Sequence, residues 1–370
     1  MSDVRIQRWA EVLVQYSVAV QPGQVVAIQG GIDAEELLRA VYREVLKAGG
    51  IPQMLPILPG LQRDLYQIAN DDQLTTIAPI ERFMRTEADV TIQIMAERNT
   101  RALTGIDPTR QSVAMRARAE LFKTFLARSA DGSVKWTLTL FPTDAYAQDA
   151  GLSTEEYTEF VYEACKLNNP DPVAAWREIG AKQQVLADWL NSGKSEIHVV
   201  GPDTDLVVGI AGRRWENCDG TNNFPDGEIF TGPVETQVNG RVRFSFPVVA
   251  YGREIRDIRL TFKDGLITDA SAASEEDFLI KTLDTDAGAR RLGEFAFGTN
   301  FDIQQFSKNI LFDEKIGGTI HMAAGSGYPE TGSTNESSVH WDMICDLREG
   351  GRVTVDGELF MGNGKYLLWS

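Results

Sequence analysis

The sequence predicts an α/β N-terminal domain, in which helices cover a mainly parallel sheet, followed by a β-rich α+β C-terminal domain. Three observations predict it. In the first half, short apolar runs alternate with stretches of helical periodicity, the signature of strand–helix–strand units. From Ser195 onward, period-2 runs and hairpin turns take over. At 370 residues the chain is also long for a single hydrophobic core. The pattern changes in residues 191–194, which divides the chain into domains at 1–193 and 194–370.

Residues 24–30 (QVVAIQG) are a short apolar run ending in glycine, as in a buried strand. Asp33 then offers an N-cap, with Glu36 three residues on as its capping-box partner. Leu37, Leu38, Val41, Val45 and Ala48 follow at helical spacing until Gly49-Gly50. Residues 51–58 (IPQMLPIL) read as a second strand whose prolines suit a sheet edge. Residues 88–96 (ADVTIQIMA) and 135–141 (KWTLTLF) supply a third and a fourth. Asp107-Pro108 starts a helix, with a cap residue and proline at its first position, that runs to about Arg128. Ser153 and Glu156 form another capping box, and Tyr157, Phe160, Val161 and Ala164 give that helix an apolar face. Asp171-Pro172 opens a last helix reaching Leu190. The Gly30-Gly31 pair is a plain strand-to-helix turn: there is no GxGxxG, and the IDAEE that follows would repel a pyrophosphate.

In the second half, Val238-Asn239-Gly240-Arg241 and Lys263-Asp264-Gly265-Leu266 read as hairpin turns between alternating apolar positions. Asp356-Gly357 repeats the theme, and one helix is expected over residues 274–283. The net charge of −17 excludes a basic footprint for nucleic acid and disfavours anionic membrane surfaces. No run of eighteen apolar residues predicts a membrane span, and the start lacks a secretory pattern. Cys165, Cys218 and Cys345 are odd in number and far apart, which points to reduced thiols in a cytoplasmic protein.

The chemistry concentrates in residues 319–342. Two of the chain's three histidines, His321 and His340, lie here, and Asp342 follows His340 by two. In a strand, i and i+2 share a face, so His340 and Asp342 converge while Trp341 points away. Imidazoles and carboxylates are the donors that a borderline divalent metal prefers. Glu228 follows a Pro-Asp-Gly turn, Glu294 sits in an apolar context beside a glycine, and Asp313-Glu314 lead into the His321 strand. Carboxylates in such places require a partner when buried. By contrast, His198 reads as structural, Asp203 and Asp205 as loop acids, and neither GxSxG nor HExxH occurs.

Taken in order, PDGEIFTGPVE around Glu228, LGEFAFGTN around Glu294, FDEKIGGTIHMAAGSGY around His321 and NESSVHWD around His340 resemble the signatures of the aminopeptidase T / aminopeptidase S family of thermophilic metallo-aminopeptidases. The resemblance extends upstream through residues 141–164 and covers most of the chain. It implies an α/β N-terminal domain, a separate metal-binding C-terminal domain and a homodimer. It implies that Glu228, Glu294, His321, His340 and Asp342 ligate two divalent ions (zinc, cobalt or manganese), with Glu294 shared. Glu314 matches another acidic position of that site, and Tyr328 matches the tyrosine beside the metals. The expected activity is removal of N-terminal residues from peptides by a water activated between two metals, with Tyr328 aiding the oxyanion and Glu228 available as general base. A two-metal amidohydrolase or esterase acting on small molecules, and a non-enzymatic protein with a structural metal, remain open alternatives.

Overall fold

The computed structural model describes residues 3–250 and 253–369. The chain divides into two compact units, Met1–Ala175 with Gly220–Pro225, and Trp176–Asp219 with Asp226–Ser370. None of the described helices is long and apolar enough to cross a membrane.

In the first unit, β1 (Val25–Gly31), β2 (Ile51–Ile57), β3 (Val90–Met95) and β4 (Lys135–Leu140) form a parallel sheet in the order β2-β1-β3-β4. Central β1 and β3 bury the apolar residues Val26, Ile28, Val90 and Ile92 completely. Pro52 and Pro56 fall on edge strand β2, where missing N–H donors cost no ladder bonds. The helix Glu35–Lys47 buries Leu37, Leu38, Val41 and Val45. Asp33 does not cap it: a 3₁₀ turn over Ile32–Ala34 intervenes, and the Asp33 carboxylate instead pairs with Arg98 at 2.6 Å. A β-carbon on Gly31 would lie 2.4 Å from the Ala96 carbonyl oxygen, so that glycine serves close packing. The helix Pro108–Ala130 starts as expected, with Asp107 accepting from the Thr109 amide. Ser153 and Glu156 close their capping box.

The second unit is mostly antiparallel. Its first strands are β5 (Glu196–Gly201), β6 (Thr204–Gly209) and β7 (Glu216–Cys218). The next, β8 (Asn223–Phe224), pairs parallel to β4 and belongs to the first unit. Then come β9 (Glu228–Thr231), β10 (Val238–Phe244), β11 (Val248–Ala250), β12 (Arg253–Ile255), β13 (Ile258–Lys263) and β14 (Leu266–Ser271). After the helix Glu276–Leu283 follow β15 (Leu292–Gly298), β16 (Thr319–Gly325), β17 (His340–Asp346), β18 (Arg352–Val355), β19 (Glu358–Gly362) and β20 (Lys365–Tyr366). An eight-stranded sheet runs β14-β13-β10-β6-β5-β18-β19-β20, and a five-stranded sheet runs β17-β16-β15-β9-β7. One core joins them: Leu206, Val242, Phe244 and Leu260 of the larger sheet cluster with Phe295, Phe297, Met322 and Met343 of the smaller.

Two further features depart from the sequence-based expectation. Asn239-Gly240 is no turn but lies inside β10, because Val238, Val242 and Phe244 keep a buried alternation that pairs with β6 on one side and β13 on the other. Gly240 is needed there for approach, since a β-carbon would meet the Asp205 carbonyl oxygen at 2.2 Å. Asp264-Gly265 and Asp356-Gly357 do make tight turns, with positive φ at both residues of each. The helix Pro172–Leu190 contributes its length from Trp176 to the second unit, so the division falls within this helix rather than at 193/194. The reason is packing: Leu186, Ala187 and Leu190 join the second unit's core, and Gln183 donates to the carbonyls of Cys218 and Glu228.

Candidate metal centre

Strand register brings five of the sequence-selected groups to one face of the smaller sheet. In β15–β16–β17, Glu294 pairs with Ala323 and Ala323 with Asp342; Ala296 pairs with His321 and His321 with Ile344; Gly325 pairs with His340. On the other side of β15, Gly298 pairs with Glu228. With side chains alternating, Glu228, Glu294, His321, His340 and Asp342 point one way. Phe295, Phe297, Ile320, Met322, Trp341 and Met343 point the other way, into the core. A bulge between Leu292 and Glu294 sets this phase: Leu292 opposite Ala324 faces the core, and Gly293 is the extra residue that delivers Glu294 to the opposite face. Ala296, Gly298, Ala323 and Gly325 are the neighbours between the large polar side chains, and their small size leaves room above the sheet.

The distances are short. His321 Nε2 lies 3.3 Å from Glu228 Oε2 and 3.4 Å from Glu294 Oε1. His340 Nε2 lies 3.2 Å from Glu294 Oε2 and 3.7 Å from Asp342 Oδ1. Its Nδ1 is 2.8 Å from the Ser326 carbonyl oxygen, which fixes Nδ1–H as donor and leaves Nε2 to face the carboxylates. Glu314, at the end of the short helix Ile310–Asp313, joins His321 and Asp342: their donor atoms lie within 4.8 Å of one another.

Two residues passed over in the sequence complete the surroundings. Lys315 is 1% exposed, and its Nζ lies 2.5 Å from Glu228, 2.9 Å from Glu314 and 3.3 Å from Asp226. Burial works against this ammonium, but Asp226, Glu228 and Glu314 outweigh it and raise its pKa well above the ordinary lysine value. In the sequence Asp226 reads as part of the Pro-Asp-Gly turn. It is 1% exposed, and burial, opposed by Lys315, pushes it up to about 7. The one available signal was Lys315's setting between apolar Phe312 and Ile316.

Burial likewise raises Glu228, and raises Asp342 to about 7. Glu294 goes the other way. Burial opposes its charge, but hydrogen bonds from His321 and His340 hold its carboxyl down, to about 2. Both imidazoles resist the lowering effect of burial and rise in turn: Glu294 and Glu228 push His321 to about 10, while Glu294 and Asp342 push His340 to about 9.

The residues fit a divalent metal. Among the described residues, Glu228, Glu294 and His321 form one set of donors within 4.8 Å of one another, and Glu294, His340 and Asp342 form a second. Glu228 Oε2 and Asp342 Oδ1 are buried without a hydrogen-bond partner, an expensive condition unless a cation takes the lone pairs. A third set, Cys218, Asp226 and Glu228, already surrounds a positive charge, the Lys315 ammonium that pairs with both of its carboxylates.

Tyr328 leaves β16 on the segment that returns to β17. Its hydroxyl is 3.5 Å from His340 Nε2, and its ring stands edge-on to both Phe230 and His340. It remains 37% exposed, while burial of the hydroxyl and the charges of Glu294 and Asp342 raise its pKa and keep it protonated. His198 lies apart from this group: its Nε2 is 2.7 Å from Asp205, which sits in β6 rather than in a loop.

Comparison with known proteins agrees with this architecture. Residues 2–366 match the family described as thermophilic metalloprotease (M29). Aminopeptidase 2 of Geobacillus stearothermophilus is 30% identical, over 96% of this chain and 95% of its own. Aminopeptidase T of Thermus thermophilus is 27% identical, over 95% and 94%. The solved structure of wild-type AmpT from Thermus thermophilus superposes with a TM-score of 0.86 at 26% identity, covering 98% of this chain and 99% of that one.

Proposed function

The chain belongs to the thermophilic metalloprotease family, and from that premise we propose that it is a metal-dependent aminopeptidase that removes N-terminal residues from peptides at a two-metal centre. The observation that carries this reading is the place of Glu294, which is common to both donor sets and lies between His321 and His340. A bridging carboxylate flanked by one imidazole on each side suits two ions sharing a ligand, with Glu228 on one side and Asp342 on the other. Glu314 adds a carboxylate where the two sets meet His321 and Asp342.

When bound, a pair of divalent ions such as zinc, cobalt or manganese lowers the pKa of a water, polarises the scissile carbonyl and takes the free α-amine. The chain's own groups do the rest. Lys315 holds Glu228 Oε1, so that Oε2 alone turns toward His321, and Glu228 is placed to accept the proton of the attacking water. Tyr328, protonated and beside His340, donates its hydroxyl to the developing oxyanion. The Ser326 carbonyl holds the His340 ring in its orientation. The chain works as a homodimer in the cytoplasm, a reading supported for the compartment by three cysteines that form no disulfide and for the assembly by the family likeness.

The test combines metal analysis with anomalous-scattering density. Two peaks per chain, flanking Glu294, are expected. Turnover of chromogenic amino-acid amides should vanish on chelation, return with zinc, cobalt or manganese, and be refused by N-acetylated substrates. One ion or none sinks the two-metal reading. Cleavage of N-acetylated amides points to a small-molecule amidohydrolase instead, and unfolding on chelation without any prior turnover points to a structural metal. Light scattering decides the dimer.

A further inference from the structure

A cavity of about 190 Å³ opens beside the candidate centre, with His340 and Asp342 in its wall. The remaining wall is mostly apolar, from Val248, Val249, Phe306, Ile310 and Ile344. Ile344 shares the face of β17 that carries His340 and Asp342, so the cavity continues directly from the ligand groups. Two charged residues also line it, and both are engaged. Lys308 Nζ is 2.9 Å from Glu254, and Asp313 Oδ1 accepts from the Ser307 amide at 2.6 Å and hydroxyl at 2.8 Å.

We infer that this cavity receives the side chain of the substrate's N-terminal residue and selects an apolar one of leucine or phenylalanine size. The inference rests on the exopeptidase reading, since a residue whose α-amine is held at the metals projects its side chain next to them. Size sets the upper bound: an apolar cavity of about 150 Å³ holds a benzene ring, so about 190 Å³ accommodates an isobutyl or benzyl group. Charge sets the sign of selection. Lys308 is ion-paired with Glu254, so a carboxylate entering the cavity finds no free counter-charge, and a guanidinium would have to shed its water to reach Asp313, which is 2% exposed and already accepts two hydrogen bonds from Ser307. Glycine leaves the cavity unfilled and gains nothing from it.

Amino-acid p-nitroanilides of leucine, phenylalanine, arginine, aspartate and glycine provide the test on the metal-loaded chain. Leucine and phenylalanine should exceed the others in kcat/KM by at least about tenfold, the discrimination that one or two methylenes give in an apolar pocket. Val249 and Ile310 are 45% and 48% exposed at the rim, so Val249→Asp and Ile310→Asp place a carboxylate there without opening the core. Each should lower leucine turnover about tenfold or more, raise arginine turnover, and leave glycine within about twofold. Equal use of glycine and leucine by the unaltered chain overturns the subsite while the exopeptidase reading stands, as does an equal loss on all substrates in both variants. If no free-amine substrate turns over, the exopeptidase reading falls, and calorimetric binding of leucinamide against glycinamide decides the cavity separately. Tighter leucinamide binding that Val249→Asp abolishes supports it, and equal binding of the two amides overturns it.

Discussion

The strands that carry the candidate ligands and the segment that joins β16 to β17 hold their side chains by opposite means. Every residue of β15 and β16 is buried, and Glu294 and His321 stand where the ladder puts them. Residues 326–339 form no ladder. Asp286 accepts from the Ser338 amide and hydroxyl, the Ser337 hydroxyl, and the amides of Gly288 and Ala289. Glu235, itself paired with Arg213, accepts from the Thr334 amide and hydroxyl. Asn335 donates to the carbonyls of Gly288 and Gly325. Tyr328, carried by this segment, keeps over a third of its surface exposed. On the proposed reading, groups that would hold a cation in fixed geometry are placed by register, and the group that would meet the substrate is placed by polar tethers that can loosen singly.

This contrast breaks first at the strands. Glu294→Gln removes the charge common to both donor sets, so loss of bound metal and of turnover together is expected, measured by metal analysis and kinetics; retention of two ions contradicts the bridging role. Lys315→Met leaves Asp226, Glu228 and Glu314 buried around no cation. Breaking a buried ion pair from one side costs about 3–5 kcal/mol, so the melting temperature should fall by roughly 5 °C or more. An unchanged melting curve would falsify the view that this ammonium balances the cage.

The segment responds differently. Tyr328→Phe should lower kcat/KM by about 10²-fold, the usual cost of losing an oxyanion donor, while metal content stays the same. A loss below about threefold removes Tyr328 from the chemistry. Asp286→Asn should have the smallest effect, and one that depends on pH. The Ser338 amide, with the Ser337 and Ser338 hydroxyls, lowers Asp286 from 3.8 to about 2. A carboxyl lowered by folding stabilises the fold above its ordinary value and loses that contribution as pH falls through the lowered one. Urea midpoints of the parent and the variant should therefore differ at pH 5 and converge near pH 2. A constant gap across that range assigns the tether no charge.

The sequence displays the donor set more readily than its support. Glu228, Glu294, His321, His340 and Asp342 each lie in a short segment whose neighbours carry the pattern, and strand alternation alone joins His340 to Asp342. Glu314 also meets the group, although KIGGTI separates it from His321. Lys315 lies within that same stretch and was passed over, because a lone lysine in one dimension gives no sign of three carboxylates arriving from residues 226, 228 and 314. The parallel sheet was legible through its apolar runs and proline-marked edge. Asn239-Gly240 misled because turn chemistry is local, whereas pairing on both sides of β10 is not. The partition of the helix Pro172–Leu190 depends on what its apolar side packs against, which periodicity does not record.

The Gly293 bulge ties the position of Glu294 to a residue that offers no donor. Give position 293 a side chain and every candidate donor survives in the sequence, yet its β-carbon would lie 2.1 Å from the Ser326 carbonyl oxygen; a ladder that straightened to relieve the clash would put Leu292 and Glu294 on one face. A count of histidines and acids would score such a chain as intact. Its capacity to hold a cation would be lost to a single added side chain outside the donor set, a kind of damage that substitution scanning of the donors never samples.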